Sequence, residues 1–297
     1  MLSSPSTFLS IADLHFSVIP LYGSRVHLSD VYLPYVTYST AGKDIDIILH
    51  AGIPDRYGSG ELIFGSSSDK DSIYGLCYDH LWNIYRFGNE TGIMISHKNK
   101  PSIPLRVAVF GSRADYWDVY IASNQIHTET DPFEYPLGPI IIYYTVNARQ
   151  GAILHASAVT SGQGGFIFMG YSGTGKTTMI GLWKNKARII NDDKIIVRYI
   201  SDNFYMFNSP LYKNDQPKKS LISRIYLLKQ GAKNDAVRLS PTEAFSRIMA
   251  LSIQHDYNKV LINNLLNVLE RVVTDLPVYE LEFVPDKSVT EYILNHE

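Results

Sequence analysis

The chain has 297 residues, enough for one large domain or two ordinary ones, and is 45% hydrophobic and 19% charged, the balance of a folded globular protein. The net charge of −2 is unevenly spread: residues 1–136 hold 9 Lys+Arg against 15 Asp+Glu, and residues 137–297 hold 18 against 14. That basic excess is too mild for a nucleic-acid surface, the longest apolar stretch (Ile140–Val146) is too short to span a bilayer, and Met1–Phe16 lacks the basic and apolar regions of a secretion signal. The single cysteine, Cys77, cannot form an internal disulfide, which fits a reducing compartment, so a cytoplasmic protein is expected.

In chain order, residues 10 to 130 read as strands. Leu14–Ile19, Asp44–Leu49, Trp82–Phe87, Gly92–Ser96 and Trp117–Ile121 are short, rich in β-branched and aromatic residues, and separated by Gly, Pro, Ser and Asp clusters. Leu81 to Ser96 reads as a hairpin, and the half as a mostly antiparallel β domain. Three prolines between Asp131 and Pro139 break any continuing strand, which sets an expected boundary at 136/137. Ile140–Arg149 suits a helix, although Ile140–Tyr144 also suits a strand. Strands are then expected at Ala152–Val159, Gly165–Met169, Arg188–Ile190, Lys194–Ile200, Ile222–Lys229 and Val278–Val284. Helices are expected at Met179–Lys186, after Ser240-Pro241-Thr242-Glu243 (a capping-box start), at Asp256–Val273 and at Asp286–Leu294. Pro210–Ser220 reads as a loop. The fold class is therefore α+β or α/β: a β-rich domain, 1–136, followed by an α/β domain, 137–297.

One stretch carries specific chemistry. The apolar run Phe166–Met169 leads into Gly170-Tyr171-Ser172-Gly173-Thr174-Gly175-Lys176-Thr177-Thr178, which fits G-x-x-x-x-G-K-[ST] in the strand–turn–helix setting that the motif needs. Glycines let the backbone wrap closely and turn its N–H groups toward phosphate oxygens, and the helix start adds positive partial charge. Lys176 can reach the β- and γ-phosphates, and Thr177 can offer its hydroxyl to Mg²⁺. Asn191-Asp192-Asp193 follows a second short apolar strand. Of two adjacent carboxylates there, one can bind Mg²⁺ and the other can accept the proton of an attacking hydroxyl. His155, in Leu154-His155-Ala156-Ser157-Ala158-Val159, is flanked by small residues that leave room for a ligand or for the carboxylates.

Those three segments, in this order and with a short loop-to-Asp-Asp spacing, resemble the nucleotide core shared by HPr kinase/phosphorylase and ATP-dependent phosphoenolpyruvate carboxykinase. The resemblance is specific over residues 150–200 and looser beyond, covering about half the chain. The chain is short for a carboxykinase and shows no match to that family's oxaloacetate-binding region. It is closer to HPr kinase-like proteins with their own β-rich N-terminal domain, some of which phosphorylate a serine of a lasso-peptide precursor. No HPr-docking segment is recognised, so the resemblance does not extend to the phosphorylase activity or to HPr as substrate.

The resemblance implies a carboxykinase-like P-loop domain and an ATP-dependent kinase acting on a hydroxyl, most simply a Ser of a protein or ribosomally made peptide. It implies ATP contacts from Gly170, Ser172, Gly173, Thr174, Gly175, Lys176, Thr177 and Thr178. Mg²⁺ would be held by Thr177 and one aspartate. The other aspartate would be the base and His155 would tune the pair; Asp192 is favoured as base, which leaves Asp193 to the metal. Lys213, Lys218 and Lys219 lie in a loop that can close over the phosphates or remain solvated. The acidic β domain is either a peptide-docking surface or a scaffold, and a homo-oligomer stays open. A kinase of free serine or a sugar, and a non-catalytic nucleotide-binding regulator, are the alternatives.

Overall fold

The computed structural model describes residues 6–21, 24–38, 42–58, 60–65, 80–88, 90–111, 113–125, 129–210, 215–254 and 259–296. Cys77 and Lys213 lie outside them. The architecture is mixed α/β, with two large sheets and five α-helices among the described residues. By internal contacts the chain divides into two units, Met1–Thr145 with Lys213–Asp215, and Val146–Tyr212 with Gln216–Glu297. The division falls inside the helix that follows the proline cluster. No helix among the described residues is long and apolar enough to cross a membrane.

The first unit holds β1 (Thr7–Ile11), β2 (Leu14–Ile19), β3 (Arg25–Val26), β4 (Val36–Thr37), β5 (Ile45–Ala51), β6 (Glu61–Gly65), β7 (His80–Phe87), β8 (Glu90–His97), β9 (Lys100–Phe110), β10 (Tyr116–Ile121) and β11 (Glu129–Thr130). Nine of them form one sheet in the order β4-β1-β2-β5-β10-β9-β8-β7-β6. Its pairings are antiparallel except β2–β5 and β5–β10. Alternation sets the faces: Ile45, Ile47 and Leu49 of β5, and Trp117, Val119 and Ile121 of β10, are buried while their neighbours are less so. The hairpin read over Leu81–Ser96 is β7–β8.

The apolar run after the prolines is helical: α1 spans Leu137–Asn147. Pro136 and Pro139 sit at its start, where missing N–H groups cost nothing, and its residues from Ile140 to Tyr144 are all buried. Tyr144 stacks on Phe110, which in turn stacks on Trp117. Burial on every side explains why the run lacked the polar alternation that separates helix from strand.

The second unit holds β12 (Gly151–Ser161), β13 (Gly164–Met169), α2 (Lys176–Trp183), β14 (Arg188–Asn191), β15 (Lys194–Ile200), β16 (Asn203–Asn208), β17 (Lys219–Gln230), β18 (Asp235–Arg238), α3 (Pro241–Ala250), α4 (Lys259–Asp275), β19 (Val278–Phe283) and α5 (Ser288–Asn295). β13, β17 and β19 run parallel, as strands joined through helices do. β13 also pairs with β12, and β12, β15, β16 and β17 pair in succession, so five strands close into a ring.

The sheet is covered on both faces. Ile167 and Met169 of β13 pack in one cluster with Ile248 of α3 and Leu265 and Leu269 of α4. Phe166 and Phe168 pack in the other with Met179 and Trp183 of α2 and Val289 and Ile293 of α5. A strand buried on both sides reads as an unbroken apolar run, which is how Phe166–Met169 appears. Each such side chain contributes about 1.5–3 kcal/mol on burial. α3 starts as its sequence indicates, with the Ser240 side chain accepting from the Glu243 N–H at 3.3 Å.

Two strands had no counterpart in the sequence reading of this unit. β16 follows β15 through a two-residue turn, Ser201-Asp202, in which both residues have positive φ (47° and 64°). Such turns announce themselves through Asn-Gly or Asp-Gly, and Ser-Asp carries no such signal. β18 is a four-residue edge strand beside β19. α2 also begins at Lys176 rather than Met179, because the polar Lys176-Thr177-Thr178 forms its first turn.

Candidate functional site

The site is built on β12. Along one edge, Asn191 of β14 pairs with Ala158 and Lys194 of β15 pairs with His155. Between them Asp192 and Asp193 interrupt the ladder opposite Ala156 and Ser157, with the Ala156 N–H donating to the Asp193 carbonyl at 3.0 Å. Asn191 shapes the interruption: its Nδ2 donates to the Lys194 carbonyl at 2.9 Å, and its Oδ1 accepts from the Asp192 N–H at 2.8 Å. The Ser157 hydroxyl reaches the Asp192 carbonyl at 3.5 Å. Along the other edge of β12, Ala156 pairs with Met169, so β13 delivers the glycine-rich loop to the same level.

The loop conformation follows from its glycines. Gly173 and Gly175 have φ of 83° and 101°, where a β-carbon is strained, and a Cβ on Gly170 would meet Thr174 Oγ1 at 2.3 Å. The Thr174 hydroxyl donates to the Tyr171 carbonyl at 2.8 Å, and Gln230 Nε2 donates to the Gly173 carbonyl at 3.3 Å. The Met179 N–H bonds the Gly175 carbonyl at 2.8 Å, so the amides just before it open the helix without an intrahelical acceptor.

Lys176 is 8% exposed, and its Nζ donates to the carbonyls of Gly170 (2.6 Å) and Tyr171 (3.2 Å). Burial pulls its pKa down; Asp193 opposes that, Lys194 adds to it and Asp192 opposes it. His155 is half-buried with Nε2 3.4 Å from Asp193 Oδ1. Burial, then the Lys194 and Lys176 ammoniums, hold its pKa below the ordinary value, with Asp193 acting the other way.

A cleft of about 390 Å³ is lined by His155, Ser172, Gly173, Gly175, Lys176, Thr177, Thr178, Asp192, Asp193 and Gln230. The fold therefore brings to one place the three segments that the sequence singled out, His155, the glycine-rich loop and Asp192-Asp193, together with Gln230. Gly170 and Thr174 shape the loop from beneath. Lys218 and Lys219 are not among the cleft-lining residues, and Lys219 Nζ lies 4.1 Å from the centre of the Tyr205 ring. Two further residues belong here. Gln230, at the end of β17, holds the loop. Lys194 places its Nζ 3.1 and 3.0 Å from the two Asp193 oxygens.

No family model matches this chain, and no curated protein matches it. Among solved structures, the HPr(Ser) kinase/phosphatase from Coxiella burnetii is similar over 49% of this chain and 99% of its own, at 8% identity and a TM-score of 0.24. The functional case accordingly rests on the site.

The residues fit an ATP·Mg²⁺ complex. A Cβ on Gly170 would clash with Thr174, so glycine there lets the loop close on itself, and Gly173 and Gly175 supply the positive-φ turns that suit amides facing an anion. Mg²⁺ keeps several waters and takes one or two carboxylates besides phosphate oxygens. Thr177, Asp192 and Asp193 supply that donor set at the same cleft.

Gly175→Ala tests the loop. The new Cβ would sit 2.9 Å from Phe283 Cζ at a φ of 101°. Strain of this kind costs on the order of 1–3 kcal/mol. We expect a lowered urea midpoint and weaker nucleotide binding by calorimetry. Unchanged values for both would mean that the loop does not depend on this conformation.

Proposed function

We propose that the protein is an ATP-dependent kinase that transfers the γ-phosphate to a hydroxyl, most simply a Ser of a protein or ribosomally made peptide of the lasso-precursor kind. The observation that carries this reading is the meeting, in one cleft, of a lysine at a glycine-rich helix start with a carboxylate pair and a histidine. On this reading residues 137–297 form an HPr kinase-like P-loop domain and residues 1–136 choose the partner.

ATP supplies the phosphoryl group, and Mg²⁺ offsets the charge on it. Gly170, Ser172, Gly173, Thr174, Gly175, Lys176, Thr177 and Thr178 cradle the phosphates, with Lys176 as the positive charge. Thr177 and Asp193 serve the metal. In the transfer the acceptor oxygen bonds to the γ-phosphorus, the bond to the β,γ-bridging oxygen breaks, and the hydroxyl proton passes to Asp192. His155, held largely neutral near pH 7 by its lowered pKa, stands beside Asp193 without adding a third positive charge.

The test is incubation with γ-labelled ATP and Ser-containing peptides encoded by neighbouring genes. Label is expected on a peptide serine. Rapid labelling of free serine or a sugar instead would favour a small-molecule kinase, and ATP binding with no transfer would favour a regulator. Residues 137–297 expressed alone are expected to bind ATP and lose peptide transfer; undiminished transfer would remove the docking role of residues 1–136.

A further inference from the structure

We propose that Lys194 is the positioning residue for the aspartate pair: together with His155 it holds the Asp193 carboxylate in one orientation at the cleft. This rests on the phosphotransferase reading above. The Lys194 side chain is only 6% exposed, and its Nζ lies within hydrogen-bonding distance of both Asp193 oxygens. His155 approaches the same carboxylate from the paired position on β12, 3.4 Å from Oδ1. The Asp193 backbone is fixed as well, since its carbonyl accepts from Ala156 at 3.0 Å. Main chain and side chain of Asp193 are thus both held.

Swinging Asp193 away would break both Lys194 contacts and the His155 contact together, so its carboxylate is suited to be a fixed anion. Asp192 lines the same cleft. A contribution to stability is the weaker account of the pair, because the Asp193 side chain is 43% exposed and solvent screens the attraction. The lysine also stands close enough to Lys176 to act on its charge, so one buried cation touches the balance of the whole cleft.

The test uses the full chain and has two parts. The clamp is read without any turnover, by acetic anhydride labelling and mass spectrometry. Lys194 is expected to label far more slowly than exposed Lys184, and Asp193→Asn is expected to speed it. Equal labelling of Lys194 and Lys184 in the unaltered protein would overturn the clamp, whatever the protein phosphorylates.

The hold on Asp193 is read by kinetics. Removing a group that orients a metal-holding residue typically costs about 10–100-fold in metal affinity or activity. Lys194→Met is expected to lower kcat by that amount and to raise the Mg²⁺ requirement, while affinity for ATP without Mg²⁺, measured by calorimetry, holds; Lys194→Arg is expected to recover most of the rate. In an Asp193→Asn background, Lys194→Met is expected to cost little more, because it acts through Asp193. Additive losses, or an unchanged kcat in Lys194→Met, would overturn the proposal. Should Lys194→Met fail to fold, Lys194→Gln against Lys194→Arg gives the same comparison. If the unaltered chain binds no ATP, the kinase reading fails, and the labelling result still decides whether the clamp exists.

Discussion

Lys176→Ala is expected to abolish measurable phosphoryl transfer and to weaken ATP·Mg²⁺ binding. The lost group is a cation at a site built to receive phosphate, and removing one such preorganised contact typically costs about 10²–10³-fold in rate. The nucleotide-free protein should also lose some stability. The ammonium bonds the buried Gly170 carbonyl, and a buried carbonyl left without a donor costs about 1–3 kcal/mol, whereas the Tyr171 carbonyl keeps its bonds from Thr174. Calorimetry with ATP·Mg²⁺ and a urea titration without nucleotide separate the two effects. If the unaltered protein binds no nucleotide at all, the kinase reading fails at its root.

Asp192→Asn should leave nucleotide affinity nearly intact and remove most of the transfer rate. The substitution keeps size and takes away the ability to accept a proton, and general-base catalysis is worth about 10²–10⁴-fold. Asp193→Asn is expected to act differently. It loosens the contacts with Lys194 and His155 and weakens metal binding, so its Mg²⁺ requirement should rise as its rate falls. Full transfer in Asp192→Asn with a dead Asp193→Asn would reverse the roles. Activity in both would show that neither carboxylate is the base.

What the sequence made legible here is local. The glycine spacing before Lys176 encodes a backbone path within nine residues, and the capping box at Ser240 encodes a helix start within four. The burial of Lys194 is not local: it comes from the pairing of Lys194 with His155, residues that neighbour only through the β12–β15 register. The sequence places Lys194 at the start of a strand, but its burial does not show until that register is known. Lys219 errs the other way. It looks available for phosphate in a polar loop, but it opens β17 opposite Phe207 and lies against Tyr205, where a cation is held by an aromatic face. The choice of helix over strand for Ile140–Tyr144 likewise depended on burial on all sides, which a pattern search cannot supply.

The ring formed by β12, β15, β16, β17 and β13 has a kinetic consequence for the chemistry it carries. The strands bearing His155 and Lys194, and the strand feeding the loop, are all members of it. The remaining edge near His155 is taken by Leu251–Ile253, which bonds His155 and Ile153. Sheets usually fray from an unpaired border inward. Here β12 at His155 and Ala156 is bonded along both of its edges, whereas the aspartates follow β14, whose only ladder among the described residues is with β12. Deuterium should therefore enter the amides of His155 and Ala156 as slowly as those of its apolar centre, while nucleotide arrives and departs through the exposed loop without disturbing them.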